Sequence, residues 1–339
     1  MTKAEELKSK TSLPLIMAPM FLVSTPALAL AACAEGVVGS FPALNQMTSA
    51  GFEQWLIEMD KGLGDLRQNN PGKTIAPYAV NLIVNPKDPR MLARLQSDLP
   101  LIVKYKVPVV ITSLGLEKSV IDAIHSYGGI VLHDITNAHH AKKAIAAGVD
   151  GIIAVAAGAG GHAGTLNPIA LIDEIRSFYD GLLILSGCMT AGSDILAAEA
   201  LGADFAYMGT RFINTVESGA NPEHKQMILD SEAKDIIYTP IISGVNANFL
   251  RPSLEKNGYK EEDLKAAFLK GGKLKPADAE AASWNKVWSA GQGVSNIKDT
   301  PTVHDLIDRL KKEYEAAQKK LLANFNKPQP NKNPPAPKP

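Results

Sequence analysis

Between residue 14 and about residue 215, short apolar runs alternate with amphipathic helical patterns, and this alternation limits the possible folds more than any other feature of the chain. Such alternation is typical of βα units around a parallel sheet. The strand candidates are Leu15–Met17, Val37–Gly39, Ile75–Val80, Val109–Thr112, Gly129–His133, Gly151–Val155, Leu182–Leu185 and Phe205–Met208. Eight strands, each coupled to a helix, favour a closed (β/α)8 barrel of the α/β class over an open sheet.

The helical segments between these strands carry recognisable end signals. The predicted helices are Pro26–Ala34, Phe52–Lys61, Arg90–Tyr105, Lys118–Tyr127, Ala138–Ala147, Pro168–Phe178 and Ser193–Leu201. Glycine follows several of them, at Gly128, Gly148 and Gly202. A glycine in this position acts as a helix C-cap that turns the chain into the next strand.

The regular alternation ends after Thr215. Residues 216–300 contain scattered prolines and helix-like pieces, which we interpret as an insertion that caps the barrel mouth. Apolar residues at helical spacing predict a last helix from Thr302 to about Asn324, packed back on the barrel. Six prolines among polar residues predict a disordered tail over 326–339. The predicted units are therefore a barrel over 1–215, a cap over 216–300, a C-terminal helix over 301–325 and the tail.

The composition argues against several classes of function. The 35 basic residues equal the 35 acidic residues, so no long-range field attracts nucleic acid or an anionic membrane. The two cysteines, Cys33 and Cys188, fit neither a metal-ligand spacing nor a disulfide framework, which favours the reducing cytoplasm. The apolar stretch 13–34 resembles a secretory signal, but three prolines interrupt it, and a membrane-spanning helix is also disfavoured.

The loops after the seventh and eighth predicted strands have the composition of a phosphate site. They read Ser186-Gly187-Cys188 and Gly209-Thr210-Arg211. In (β/α)8 barrels these two loops often hold phosphate, and small residues leave backbone N–H groups free to face an anion. Either glycine alone could be a simple turn residue. Together, at these two positions, they favour a phosphate-binding role.

A glycine-rich segment follows the sixth predicted strand, beside those loops. Four of the seven residues from Gly158 to Gly164 are glycine, and His162 is the only titratable side chain among them. An imidazole with a pKa near ~6.5 suits proton abstraction near neutral pH, so His162 is the candidate base. His133 and Asp134, at the end of the fifth strand, are weaker candidates that could equally anchor a loop.

Six short segments, in order and at the expected strand ends, resemble the nitronate monooxygenases, a family of FMN-dependent TIM barrels. The segments are Pro14–Met20, Ala79–Leu82, Gly148–Gly151, Gly160–Gly164, Ala203–Phe212 and Ser289–Gly293. The resemblance extends from about residue 13 to about residue 307. Family members commonly have Gln seven residues and Glu four residues before the histidine, where this chain has Val155 and Gly158.

The resemblance implies roles for individual residues. It implies that His162 is the catalytic base, that Asn81 hydrogen-bonds the flavin ring, and that Gln292 contacts its edge. The residues that it implies in cofactor binding are Ala18, Pro19, Met20, Asn81, Gly160, Gly161, Ser186, Gly187, Tyr207, Met208, Gly209, Thr210 and Gln292. No metal is expected.

The implied activity is oxidation of nitronates and nitroalkanes, such as propionate 3-nitronate, by O2 to a carbonyl compound and nitrite. His162 would first deprotonate a neutral nitroalkane. One alternative is a barrel that uses FMN and NAD(P)H to reduce an enoyl thioester or a quinone, and another is a flavin-binding protein without turnover. The expected partners are a small-molecule substrate and O2, without nucleic acid or membrane, and the protein is expected to be a monomer or a homodimer.

Overall fold

Eight parallel strands form the sheet at the centre of the molecule. The computed structural model describes residues 2–240, 242, 244–260, 262 and 286–325. The strands of the central sheet are β1 (Leu15–Met17), β2 (Gly39–Pro42), β3 (Tyr78–Val84), β4 (Val109–Leu114), β5 (Ile130–Ile135), β6 (Gly151–Val155), β8 (Leu182–Ser186) and β9 (Phe205–Met208). A second, three-stranded sheet contains β7 (Gly161–His162), β10 (Ile236–Thr239) and β11 (Ala247–Leu250).

The central sheet is rolled into a barrel. Its strand order is β1-β9-β8-β6-β5-β4-β3-β2. The two end strands meet through a parallel bridge between Ile16 and Val38, where the Met17 N–H donates to the Val38 carbonyl at 2.9 Å. The predicted (β/α)8 fold is therefore confirmed. Strand β2 was predicted to begin at Val37 but begins at Gly39. Val38 forms only the bridge to Ile16 and is not part of the strand.

Helices cover the outside of the barrel and extend beyond it. They are α1 (Lys3–Lys8), α2 (Pro26–Ala34), α3 (Ser49–Asn69), α4 (Pro89–Lys104), α5 (Lys118–His125), α6 (Ala138–Ala147), α7 (Pro168–Arg176), α8 (Gly192–Ala200), α9 (Thr210–Ile213), α10 (Pro222–Asp230), α11 (Arg251–Lys256) and α12 (Val303–Phe325). Gly148, with φ of 91°, is the left-handed C-cap of α6, as predicted. None of the helices in the described ranges is both long enough and apolar enough to cross a membrane.

The core consists of two apolar layers, because alternate residues of a strand point to opposite faces of a sheet. One layer fills the inside of the barrel and includes Ile111, Leu132 and Ile184, all completely buried. The other layer lies between the strands and the surrounding helices. Helix α1 contributes Leu7, also completely buried, to the inner layer.

Helix α1 lies at the amino end of the barrel, where Leu7 shares a small depression with Pro77, Pro108 and Ile130. Its start is stabilised by a capping box. Thr2 Oγ1 accepts from the Glu5 N–H at 3.2 Å, and the Thr2 N–H donates to Glu5 Oε2 at 2.7 Å. The sequence interpretation did not include this helix, although the Thr-x-x-Glu spacing was a signal for it.

The C-terminal helix α12 packs closely on α8. The two backbones come so close at Gly192 that a Cβ added there would lie 2.1 Å from the Leu310 carbonyl oxygen. The Gly192 N–H also donates to Glu313 Oε2 at 2.8 Å. Only glycine allows this approach.

The three-stranded sheet was not predicted. Strand β11 pairs antiparallel with both β10 and β7, and places Ala247 opposite His162. We expected residues 158–164 to form a loop, but Gly161 and His162 form a strand. Its pairing partner lies 85 positions further along the chain, so local periodicity contains no signal for it. The predicted tail over 326–339 and residues 263–285 of the predicted cap lie outside the described residues.

Candidate active site

A large cavity of about 1610 Å³ opens at the carboxyl ends of the barrel strands. This is the end where (β/α)8 barrels place their active sites. The cavity brings together all but two of the residues predicted to form the site. Those that line it are Ala18, Pro19, Met20, Asn81, Gly160, Gly161, His162, Ser186, Gly187, Tyr207, Gly209 and Thr210.

The two predicted residues that do not line the cavity are Met208 and Gln292. Met208 points into the apolar layer between strands and helices, because its neighbour Tyr207 occupies the opposite face of strand β9. Gln292 lies behind the glycine-rich loop, where its N–H donates to the Gly158 carbonyl at 2.9 Å. Its Oε1 is 4.0 Å from Cys188 Sγ.

The loops after strands β6, β8 and β9 converge on one side of the cavity. Thr210 Oγ1 accepts from the Gly291 N–H at 2.9 Å. A Cβ added at Gly160 would lie 3.2 Å from Thr210 Oγ1, and one added at Gly187 would lie 3.0 Å from the Ala157 carbonyl oxygen. Glycine at these positions therefore lets three loops lie against each other, with their backbones along the cavity wall.

His162 is positioned on the cavity wall by the second sheet. Strand β7, which contains His162, pairs with strand β11. Two side chains of the same sheet also hold the residues on either side of β7. Asn248 Nδ2 donates to the Ala159 carbonyl at 2.6 Å, and the Tyr238 hydroxyl donates to the Ala163 carbonyl at 2.9 Å. The imidazole reaches solvent through the cavity, yet the surrounding protein removes part of its hydration. This desolvation lowers the pKa of His162 below its ordinary value of 6.5.

A chain of hydrogen bonds links three neighbouring strands on the cavity floor. The Ser113 hydroxyl donates to Asp134 Oδ2 at 2.6 Å and accepts from Asn81 Nδ2 at 2.7 Å. Asn81 Nδ2 also donates to the Ile111 carbonyl at 3.0 Å. Both amide hydrogens of Asn81 are thus used within the protein. The side-chain carbonyl Oδ1, without a partner among the described residues, is left to accept a hydrogen bond from a ligand.

Asp134 is the most unusual titratable group in this chain of hydrogen bonds. Its Oδ1 is buried and has no hydrogen-bond partner in the described part of the protein. Burial raises the pKa of Asp134 to about 6, although the bond from Ser113 partly opposes this shift. Asp134 therefore changes its charge close to physiological pH.

Two of the other histidines that line the cavity, His133 and His224, are held in their neutral form. His133 Nδ1 is 2.8 Å from Thr112 Oγ1, and burial lowers the pKa of His133 to about 4. His224 stacks on Trp288 with ring centroids 5.3 Å apart, and burial lowers its pKa to about 4 as well. Neither imidazole carries a charge at neutral pH.

Several cavity residues were missed by the sequence interpretation. They are Ser113, His224 and Tyr238. Ser113 ends strand β4 at the carboxyl edge, where polar residues signal a site, so it could have been found. The others belong to the irregular region after Thr215, in which no strand was recognised. The β-branched and aromatic run Ile236–Thr239 was the available signal for a strand there.

Comparison with known proteins shows which family the chain resembles. The family model "Nitronate monooxygenase" matches residues 4–313. The chain is 28% identical to a nitronate monooxygenase of Paraburkholderia phytofirmans, over 91% of this chain and 94% of that protein. It is 26% identical to the solved nitroalkane oxidase of Streptomyces ansochromogenes, with a TM-score of 0.75 and coverage of 93% and 99%. FabK from Thermotoga maritima is 26% identical, with a TM-score of 0.76 and coverage of 96% and 99%.

Proposed function

Because the chain belongs to the nitronate monooxygenase family and is a flavin-dependent oxidoreductase, we propose that it uses FMN and O2 to oxidise nitronates and nitroalkanes to a carbonyl compound and nitrite. The observation that carries this proposal is the position of His162 on the wall of the cavity that also contains the glycine loops and Asn81. A base and a cofactor site therefore share one enclosed space. The protein is proposed to act in the cytoplasm, as a monomer or a homodimer.

The cavity has features that fit FMN. The loops around Gly160, Gly187 and Thr210 offer backbone and hydroxyl groups for the phosphate. Gly209 lines the cavity beside Ala18, and a Cβ added there would lie 3.6 Å from Ala18 Cβ, an ordinary van der Waals distance. Asn81 Oδ1 can accept from an N–H of the flavin ring. When bound, the flavin would supply the redox chemistry by accepting electrons from the nitronate and passing them to O2.

His162 would prepare a neutral nitroalkane for oxidation by removing the proton on the carbon that carries the nitro group. Its lowered pKa keeps the imidazole unprotonated, and so able to accept this proton, at neutral pH. Strand β7 fixes the backbone from which the imidazole projects. A nitronate is already deprotonated and does not need this step.

Replacement of the base tests this role. His162→Ala should lower kcat/KM on a neutral nitroalkane by about 10²–10⁴-fold, the usual contribution of a general base, and leave oxidation of the matching nitronate nearly unchanged. Oxygen uptake measures both activities. His139→Ala is the control, because His139 is an exposed histidine on helix α6 that does not line the cavity. Equal losses on the two substrates would remove His162 from the role of base.

The pH dependence of nitroalkane oxidation gives a second test of the same step. Activity should rise as His162 loses its proton, with a midpoint below pH 6.5 because desolvation favours the neutral imidazole. The profile for the nitronate should lack this rise. The measurement is kcat/KM between pH 5 and pH 8 on both substrates. A shared midpoint on the two substrates would assign the titration to another group.

The size of the cavity favours one alternative activity. About 1610 Å³ exceeds the ~300–1,000 Å³ of ordinary ligand pockets, so a second large ligand could bind beside a flavin. Such a site suits flavin-dependent reduction of an enoyl thioester or a quinone by NAD(P)H. Rapid bleaching of the protein-bound flavin by NADH without oxygen would favour this alternative. An unchanged flavin spectrum, together with oxygen uptake on propionate 3-nitronate, would favour nitronate oxidation.

A further inference from the structure

Four exposed apolar side chains surround the mouth of the cavity. Phe21, Leu22, Leu114 and Val245 all line the cavity, yet are between 40% and 62% exposed. They come from three separate segments: the loop after β1, the end of β4 and the connection between β10 and β11. We call these four residues the apolar rim. Exposed apolar groups gathered at one place indicate a surface that contacts a ligand or partner.

Leu114 is held in a strained backbone conformation. Its φ is 71°, and the Gly115 N–H donates to both the Ser113 carbonyl at 3.1 Å and the Val84 carbonyl at 2.8 Å. The first of these bonds closes a γ-turn centred on Leu114. A leucine with a positive φ has an unfavourable backbone conformation, which glycine would adopt without this strain. Strain of this kind at a cavity mouth points to a function for the side chain.

The loop that carries Phe21 and Leu22 is held chiefly by the side chain of Asn45. Asn45 Oδ1 accepts from the Leu22 N–H at 2.9 Å, and Asn45 Nδ2 donates to the Met20 and Ser24 carbonyls at 3.1 and 2.8 Å. Leu22, like Leu114, has a positive φ, of 61°. The rim is therefore shaped before any ligand arrives. A preorganised surface loses less conformational entropy on binding.

The rim is continuous with the cavity floor. Leu114 directly follows Ser113, which is hydrogen-bonded to both Asn81 and Asp134 on the floor. Because the floor is assigned to the flavin, a ligand with its polar head beside His162 on the cavity wall and a long apolar tail would extend toward the rim. A nitronate with a long hydrocarbon group has this shape.

We propose that the apolar rim binds the hydrocarbon part of the substrate, so that the enzyme prefers nitronates with an extended alkyl or aryl group over short or carboxylated ones. This inference rests on the proposed nitronate oxidation. The rim is continuous with the cavity that contains His162, which favours substrate as its occupant over a second copy of the chain or a membrane.

A series of straight-chain primary nitronates tests the proposal on the flavin-loaded protein. Each added methylene that reaches the rim should raise kcat/KM by up to about fourfold, which corresponds to ~0.8 kcal/mol per buried methylene. Leu114→Ala should weaken this dependence on chain length, so that the loss in kcat/KM relative to wild type grows with each added methylene. Leu322→Ala is the matched control, because both leucines are 62% exposed and Leu322, on helix α12, lies outside the cavity.

A second variant distinguishes loss of hydrocarbon binding from a folding defect. Leu114→Gly should raise the melting temperature by relieving the left-handed strain, and still lose the dependence on chain length. A variant that is more stable but less selective cannot be explained by misfolding. If both Leu114 variants keep the wild-type dependence on chain length, the proposal is overturned.

Binding of straight-chain carboxylates of four to ten carbons, followed by calorimetry, separates this proposal from the proposed function. A carboxylate resembles a nitronate in shape and charge but does not react. Longer carboxylates should bind more tightly, and Leu114→Ala should remove this trend. If both results hold while no nitronate is oxidised, the proposed function is wrong but the rim still binds hydrocarbon chains. Flat binding across the series overturns the rim proposal. So does self-association that Leu114→Ala abolishes while chain length has no effect.

Discussion

The polar chain on the cavity floor shows how far single residues could be predicted. Asn81 was predicted as a flavin contact from the family resemblance, and Asp134 was a weak candidate beside His133. The part played by Ser113 depends on strand register, which places it between Asn81 and Asp134 and cannot be read from one strand alone. The assignment of individual cofactor contacts remains a prediction.

The raised pKa of Asp134 predicts a dependence of stability on pH. The pKa of Asp134 is about 6 in the folded protein and has the ordinary value of 3.8 in the unfolded protein. Proton binding by Asp134 therefore stabilises the folded protein, and this contribution is fully present below about pH 4. It is lost as the pH rises through 6, where the buried carboxyl must ionise. Asp134→Asn should therefore raise the melting temperature of the flavin-free protein more at pH 8 than at pH 5. Thermal unfolding at several pH values measures this difference.

Ser113→Ala provides the companion variant for this test. In the wild type, the hydrogen bond from the Ser113 hydroxyl favours the ionised carboxyl of Asp134. Its loss should therefore raise the pKa of Asp134 further. The pH at which stability falls should accordingly move upward. A stability difference between wild type and Asp134→Asn that is the same at pH 5 and pH 8 would contradict the predicted titration.

At the scale of helices and strands, the local signals identified the elements but not all of their ends. Helix α3 extends from Ser49 to Asn69, where Phe52–Lys61 was predicted, and strand β3 from Tyr78 to Val84, where Ile75–Val80 was predicted. The bounds of α2, α6 and β6 agree with the prediction at both ends, because proline, asparagine and glycine mark where these elements begin or end. Strand β7 has only two residues and depends on β11, which comes much later in the chain. A sequence pattern contains no information about that pairing.

The contact between helices α8 and α12 gives a prediction at this scale. Gly192→Ala should destabilise the protein by about 1–3 kcal/mol, because the new methyl group would collide with the backbone of Leu310 and Tyr314. Gly64→Ala is the matched control in the middle of α3, where an added Cβ meets no atom within 4 Å. That control should stabilise the helix by up to ~1 kcal/mol. Chemical denaturation measures both, and similar effects in the two variants would refute the close packing at Gly192.

The barrel as a whole has two different ends. Helix α1 covers the amino end with Leu7, and the cavity opens at the carboxyl end. The alternation of strands and helices predicted this barrel, since it depends on a repeated local pattern. The division into a barrel over 1–215, a cap over 216–300, a helix over 301–325 and a tail remains our proposal. The shape of the cavity mouth could not be predicted, because it is made by loops.

The separation of the two ends predicts that stability and cofactor binding can be changed independently. Leu7→Ala should cost about 2–5 kcal/mol, as for other leucines removed from a core, because Leu7 is completely buried against the barrel interior. Flavin affinity at a temperature where the variant remains folded should be unchanged. Denaturation and flavin titration measure the two effects. Leu321→Ala, on the exposed end of α12, should change neither.

The close approach of Gly158 to Cys188 makes the residues tolerated at these two positions depend on each other. Gly158 has a φ of 82°, and a Cβ added there would lie 2.2 Å from Cys188 Sγ. A side chain at position 158, such as the glutamate that family members commonly have there, would therefore require the Cys188 thiol to turn aside and the new residue to adopt a positive φ. Replacing Cys188 by alanine would remove the first of these two obstacles. A glutamate introduced at position 158 should therefore destabilise the protein less in a Cys188→Ala background than in the wild type.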